Sequence, residues 1–492
     1  VTETAIASTD TEGGADTIDA GAGDDIVVAG TDDDTVQGAL GDDILLGDHA
    51  TISRTEAGVI LRIATAFIPN GGDDDLDGGD GYDTILGGTG NDTIQSGDDT
   101  DGSIILGDNG EVVRADGSDE ANDIFSTDPT QGGSDTITGS FGNDLILGGS
   151  GGNDATGSGG DVIVDQGGDA DIIFGDSGYI TRDLFDRIER LETRADNEFA
   201  DLGGDDVLTD LDGSATIFGG NGDDTILGTT TGNDLLLGDN GFVDFVEDGN
   251  LNTRDRVRSQ FTNQGGNDTI QSQGGDDIAI GGFGDDAITG AAGDDIIFGD
   301  SGDLIYDNGE LAQLQTITPV RGGNDTITGD EDSDRIFGGN GNDSITGNAA
   351  DDIIFGDHGS LDYAIDGDVS TLDQALGIDA DQGGDDIING NDGNDLIMGG
   401  EADDQITAAT GEDVVFGDSG QVDLQGGVIA QLQTVSPANG GNDTITGDED
   451  SDRIFGGNGN DSITGNAADD IIFGDHGSLD YAIDGDVSTL DQ

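Results

Sequence analysis

Residues 322–357 read GGNDTITGD, EDSDRIFGG, NGNDSITGN and AADDIIFGD, four nine-residue units end to end. Asp325, Asp334, Asp343 and Asp352 stand nine apart, and Ile327, Ile336, Ile345 and Ile354 follow each by two. A short fixed period predicts a solenoid, in which each unit buries its apolar face only against its neighbours. The stretch Gly338-Gly339-Asn340-Gly341-Asn342-Asp343 suits tight turning, because Gly reaches positive φ freely and Asn or Asp tolerates it. Ser344-Ile345-Thr346 suits a short strand with one large apolar side chain turned inward. Alternating turn and strand coils an all-β chain into stacked parallel strands. Ile, Leu, Val and Phe then lie inside, with carboxylates and carbonyls along both edges. Such edges repel one another unless a hard cation sits between successive turns, and an oxygen-only donor set selects Ca²⁺.

The same step runs through the chain and names the candidate ligands. The first array carries Asp16, Asp25, Asp34 and Asp43. The second holds Asp74, Asp83 and Asp92 and then slips, and the third keeps Asp135, Asp144 and Asp171 around an irregular Gly/Ser stretch. The fourth keeps Asp206 and Asp224, with Asp234 displaced by one residue. From Asp268 the register is clean, through Asp277, Asp286 and Asp295 and the array already quoted. Asp386, Asp395, Asp404 and Asp413 follow, then Asp443, Asp452, Asp461 and Asp470.

Each array closes on an apolar triplet and Gly-Asp, the Gly falling at 47, 107, 175, 238, 299, 356, 417 and 474. The expected modules are 1–49, 50–110, 111–178, 179–241, 242–302, 303–359, 360–420 and 421–492. Residues 322–374 and 440–492 are identical over 53 positions, offset by 118. With no polar capping repeat visible, this duplication suggests a window of a longer repetitive polymer.

The charge sets limits: 108 Asp plus Glu face 13 basic residues, for a formal net charge of −95, with 92 Gly, 4 Pro, no Trp and no Cys. Nucleic acid is excluded as a partner on charge alone. A chain so acidic is expected to be disordered without metal and to fold as cations neutralise its carboxylates. No run approaches the roughly 18 apolar residues of a membrane span, and no basic and apolar leader follows Val1.

The pattern GGxGxDxUx, with U a large apolar residue, resembles the hemolysin-type (repeats-in-toxin, RTX) calcium-binding nonapeptide. Clean copies are GGNGNDSIT at 338–346, GGTGNDTIQ at 87–95, GGFGDDAIT at 281–289 and GGNGDDTIL at 219–227. The resemblance implies a right-handed parallel β-roll with Ca²⁺ between consecutive turns, held by the sixth-position Asp and turn carbonyls. It also implies export from the cell, where the millimolar Ca²⁺ that such weak modules need is present.

Arms of roughly 15–25 residues separate the arrays, and 11 of the 13 Arg lie in them, including Arg62, Arg187, Arg190, Arg256 and Arg258. Arg binds carboxylates bidentately. The arms are therefore expected either to grip a neighbouring roll, in the same chain or in another copy by self-association, or to fold back on their own module. Leu184, Ile188 and Leu191 predict a short amphipathic helix over 183–197. The arms near 310–318 and 428–436 predict strands ending before Pro319 and Pro437.

Gly-Asp-Ser-Gly at 175–178, 299–302 and 417–420 imitates a serine-protease signature. The slot also reads Gly-Asp-Asn-Gly and, at His358 and His476, Gly-Asp-His-Gly, so it predicts a turn and no enzyme. The favoured function is a secreted, Ca²⁺-stiffened structural protein of a filament, sheath, surface layer or adhesin stalk. The alternatives are the calcium-binding tail of an exported enzyme or toxin, and a non-assembling Ca²⁺ buffer.

Overall fold

In the computed structural model the described residues are 5–8, 13–66, 71–98, 100–114, 123–150, 160–168, 170–183, 185, 187–194, 203–260, 264–317, 322–378, 383–435 and 440–481. They contain strands and turns and no helix. The chain forms two compact units, Val1–Leu251 with Gln264–Thr269, and Asn252–Asn263 with Ile270–Gln492.

The quoted array shows how the second unit is built. Thr326–Glu331 and Ser344–Ala349 lie side by side in one parallel sheet, Ile327 opposite Ile345. Arg335–Phe337 and Ile353–Phe355 lie in a second parallel sheet, Ile336 opposite Ile354. Two nonamers thus make one coil of eighteen residues. Thr326 is exposed and Ile327 fully buried, the alternation that a pleated strand with one inner face requires. Phe298, Phe337 and Phe355 stack through the core of the second sheet at centroid spacings of 4.7 and 4.8 Å. The first unit repeats the plan, with Leu76 opposite Ile94 and Ile137 opposite Ile163 in one sheet and Ile105 opposite Ile146 in the other. The fold is an all-β parallel roll of nine-residue repeats.

After every two coils the chain leaves the roll, and the arms supply a third, antiparallel sheet. In the second unit Glu310–Thr316, Gly359–Asp362, Gln374–Gly377 and Gly420–Gln425 are successive neighbours, joined through Leu314–Leu361 and Ala375–Val422 pairs. Those inward side chains are buried, so the arms wall the core. The strands expected near 310–318 and 428–436 are Glu310–Thr316 and Val428–Thr434; Pro319 and Pro437 lie outside the described residues.

The helix expected over 183–197 is not formed. Gly178–Arg182 and Ile188–Thr193 are antiparallel strands with Ile180 opposite Leu191, and Leu184 and 195–197 lie outside the described residues. Leu191 and Thr193 are buried on one face of a strand that pairs on both sides, and this sheet context overrides the helical spacing.

The described arginine ion pairs stay mostly within the arm sheet. Arg62 pairs with Glu111, Arg190 with Glu192 and Asp244, and Arg256 with Asp303. Arg62–Glu111, Arg190–Asp244 and Arg256–Asp303 each join an arm to the arm of the next module of the same chain, and not to carboxylates of its own module.

Candidate metal centre

The sixth-position Asp of each nonamer ends a turn, and its side chain points along the stack of coils. In the second unit the backbone amides of Asp286, Asp325, Asp343, Asp386, Asp404 and Asp443 each donate to Oδ1 of the next Asp in the column, ending at Asp461, at 2.7–3.1 Å. A second column runs through Asp277, Asp295, Asp334, Asp352, Asp395, Asp413, Asp452 and Asp470 at 2.8–3.2 Å. In the first unit one column joins Asp16, Asp34, Asp74, Asp92 and Asp135, then Asp206, Asp224 and Asp268. The other joins Asp25, Asp43 and Asp83, then Asp144 and Asp171. Each bond satisfies the amide that starts a strand, where no ladder partner is available.

Two kinds of residue in these columns escaped the sequence reading. Asp161 stands between Asp135 and Asp206, accepting from the first and donating to the second. Its own Asp161-x-Ile163 step was the available signal. In the other column Ser103 and Ala215 replace the carboxylate: Ser103 lies between Asp83 and Asp144, and the Ala215 amide donates to Oδ1 of Asp234 at 2.8 Å.

In many of these residues Oδ1 is thus engaged and Oδ2 is not. Oδ2 of Asp34, Asp74, Asp92, Asp135, Asp206, Asp224, Asp295, Asp325, Asp334, Asp343, Asp352, Asp386, Asp395, Asp404, Asp413, Asp443 and Asp452 is buried with no hydrogen-bond partner. An unsatisfied buried carboxylate oxygen is costly, so its recurrence points to a missing positive partner. Glycine leaves the space for one. A methyl group built on Gly338 would collide with Oδ2 of Asp343 and with the carbonyl oxygen of Gly356 on the next coil. Gly87, Gly281, Gly399 and Gly456 repeat this cradle with Asp92, Asp286, Asp404 and Asp461. Gly339 and Gly341 hold φ of 114° and 108°, which brings the turn's carbonyls round to the same edge. The donors are all oxygen, and such a set fits a hard cation of the Ca²⁺ type.

The electrostatics agree. Burial, with neighbouring carboxylates added, pushes the carboxyl groups of Asp295, Asp352, Asp395 and Asp413 up to about 7 and that of Asp334 to about 8. Asp325 and Asp343 rise to about 10 for the same reasons. A group so placed takes a proton or a metal ion.

Not every expected ligand is equivalent. Asp16 is exposed, and Asp25, Asp461 and Asp470 are half-buried. Oδ2 of Asp144 accepts from the Ser140 amide at 2.7 Å and hydroxyl at 3.0 Å, and Oδ2 of Asp234 accepts from the Thr229 amide at 2.6 Å.

The closing Gly-Asp-x-Gly corner is a separate device. Oδ1 of Asp108 accepts from the Gly133 amide and Oδ2 from the Ser150 amide, so one carboxylate ties together the next two coils. Asp357 does the same for Gly384 and Glu401. The last glycine lies against an aromatic ring, since a methyl group on Gly359 would strike Phe355. His358 fills the variable slot, its Nε2 2.7 Å from Asn340 Oδ1, and burial pushes its imidazole down to about 4. The slot is a packed corner.

A search of curated proteins returns no match. The RTX calcium-binding nonapeptide repeat (4 copies) matches at residues 10–47, 69–102, 130–164, 202–230, 264–287, 272–303, 321–345, 328–360, 382–415, 438–462 and 446–478. Together these cover more than half of the chain and include most of the column Asp residues, Asp171 and Asp234 lying outside them. The chain belongs to the RTX calcium-binding nonapeptide repeat family, and its repeats bind Ca²⁺ ions.

Proposed function

We propose that the chain is a non-catalytic structural domain that works outside the cell, where Ca²⁺ holds its coils together and makes it a stiff element of a filament, sheath, surface layer or adhesin stalk. The carrying observation is the column of buried Oδ2 atoms, most of them beside a glycine and a carbonyl of the next coil. The ligands in this reading are the column Asp residues through Oδ2, with turn carbonyls such as that of Gly356. Bound Ca²⁺ supplies the positive charge that 13 arginines against 108 acids do not. The chain's own residues do the rest: Oδ1 fixes coil spacing, the Ile and Phe columns seal the core, and the arm sheet closes the third side.

Location follows from affinity, because weak oxygen sites fill at the millimolar Ca²⁺ found outside cells. Among the described residues no helix is long and apolar enough to cross a membrane. Contact between copies would use arm side chains that the arm sheet leaves exposed, such as Arg62 and Arg187.

Circular dichroism and electron microscopy in Ca²⁺ and in chelator test the proposal. Expected are β-rich, elongated particles in Ca²⁺ and loss of both signals in chelator. Identical spectra in the two conditions overturn the metal-dependent fold, and compact, monodisperse particles in Ca²⁺ overturn the structural role.

A further inference from the structure

In the first unit the repeat pattern breaks at one place in a way that adds carboxylates. At the register that ends each strand of the first parallel sheet, the described strands carry Gly, Ala or Ser, as at Gly38, Gly78, Gly139 and Gly228. Asp165 and Asp210 occupy that register on two consecutive coils and face one another in the sheet. Both are fully buried, at 0 and 1% exposure, and Oδ2 of each has no hydrogen-bond partner. Asp165, Asp144 and Asp171 each bring an oxygen within 4.8 Å of the other two.

Neighbouring hydrogen bonds hold Asp144 and Asp165 in place. Oδ1 of Asp144 accepts from the Ser103 amide, its Oδ2 from Ser140, and Oδ1 of Asp165 from the Gly167 amide at 3.3 Å. A methyl group at Gly139 would meet both Asp165 Oδ1 and Asp144 Oδ2, so this glycine leaves the space between them open. Asn143, Gln166, Gly167 and Gly168, next to the three carboxylates in sequence, line an open groove of about 660 Å³. Burial first, then Asp144, Asp171 and Asp210, push the Asp165 carboxyl to about 10.

We propose that Asp165 joins the column residues Asp144 and Asp171 in a cation site that holds Ca²⁺ more tightly than the other repeat cradles do. A repeat cradle offers one carboxylate oxygen and carbonyls, whereas this site offers three carboxylates, and ligand charge count is a main determinant of Ca²⁺ affinity. Ca²⁺–oxygen distances of about 2.4 Å place two ligands at most about 4.8 Å apart, and the three oxygens lie within that limit. Asp210 extends the site toward the next coil, where Ala215 lacks the column carboxylate.

The test uses the full chain, loaded with Ca²⁺ and dialysed against buffers of falling free Ca²⁺, with retained calcium counted by elemental analysis. The wild type is expected to keep one ion per chain at a free concentration at least about tenfold below that at which the others leave. Asp165→Gly, which restores the common residue of the register, and Asp165→Asn are expected to lose that ion with the rest while keeping the wild-type dichroism in millimolar Ca²⁺. Retention of the ion by either variant, or a wild type in which no ion outlasts the others, overturns the site, the second result holding however the variants fold. Retention of one ion by a chain whose repeats bind none leaves this site standing and removes the proposed function instead.

Discussion

The amide of Asp325 donates to Oδ1 of Asp343 at 2.8 Å, eighteen residues on, while Oδ2 of Asp343 is buried without a partner. One carboxylate therefore has two jobs, and they are separable by substitution. Asp343→Asn keeps an oxygen acceptor for Asp325 but places an amide, without charge, toward the cradle. It is expected to lose one or two Ca²⁺ ions per chain and to raise the Ca²⁺ concentration needed for folding, with about 1–3 kcal/mol lost in saturating Ca²⁺. Calorimetric titration and urea denaturation measure both. An unchanged ion count would show that Oδ2 is not a ligand.

Filling the cradle without touching a charge makes the complementary test. A methyl group at Gly338 meets Asp343 Oδ2 and the Gly356 carbonyl, whereas one at Gly474, in the equivalent Gly-Asp position, meets nothing within 4 Å. Gly338→Ala is therefore expected to reduce bound Ca²⁺ by at least one ion and Gly474→Ala to leave it unchanged. Equal ion counts in the two variants would sink the cradle assignment.

How much was legible follows from which contacts are local. The nine-residue spacing of Asp325 to Asp352 carries the roll and both columns, because strand, turn and ligand all lie inside one repeat. Asp161 was legible from its Ile163 and was passed over in an irregular stretch. Asp357 was not legible as a tie, since the amides it accepts from belong to Gly384 and Glu401, beyond an intervening arm. The arm sheet had a signal that went unread: Asn308-Gly309, at φ of 54° and 86°, is a two-residue hairpin turn closed by Asp307 and Glu310. The helix misreading arose because Ile188 and Leu191 fit a helical spacing, while burial of Leu191 is decided by strands 11 and 52 residues away.

Acid should substitute for metal. Asp295, Asp352, Asp395 and Asp413 rise to about 7 and Asp334 to about 8, above the roughly 3.9 of an unfolded Asp, mainly through burial. A folded-state value above the unfolded one means that the fold binds protons more tightly. The resulting stabilisation of the metal-free chain is fully present below about pH 4 and disappears as pH rises through about 7–8. In chelator, β structure by circular dichroism is therefore expected to increase on going from pH 8 to pH 4, and apparent Ca²⁺ affinity to fall over the same range. Metal-free dichroism that does not respond to pH would contradict the burial of these carboxyls.

Ala409 adopts φ of 81°, a left-handed conformation that costs a residue with a Cβ about 1–2 kcal/mol. Ala409→Gly is expected to raise stability in saturating Ca²⁺ by up to about 1 kcal/mol after the entropy cost of glycine is subtracted. A lower urea midpoint for this variant would show that the methyl group contributes packing that outweighs the strain.

The closing Asp357 gives a last contrast with the columns. Oδ1 accepts from Gly384 at 2.9 Å and Oδ2 from Glu401, so the carboxylate ties backbone amides of two successive coils. Asp357→Ala strands two backbone amides of successive coils, each worth about 1–3 kcal/mol when buried and unpaired, whereas Asp357→Asn restores one acceptor. The expected order of stability in saturating Ca²⁺ is wild type, then Asn, then Ala, with the number of bound ions the same in all three. If Asp357→Asn instead sheds ions as Asp343→Asn does, the corner is a ligand, and the separation between tie and ligand drawn from the hydrogen bonds fails.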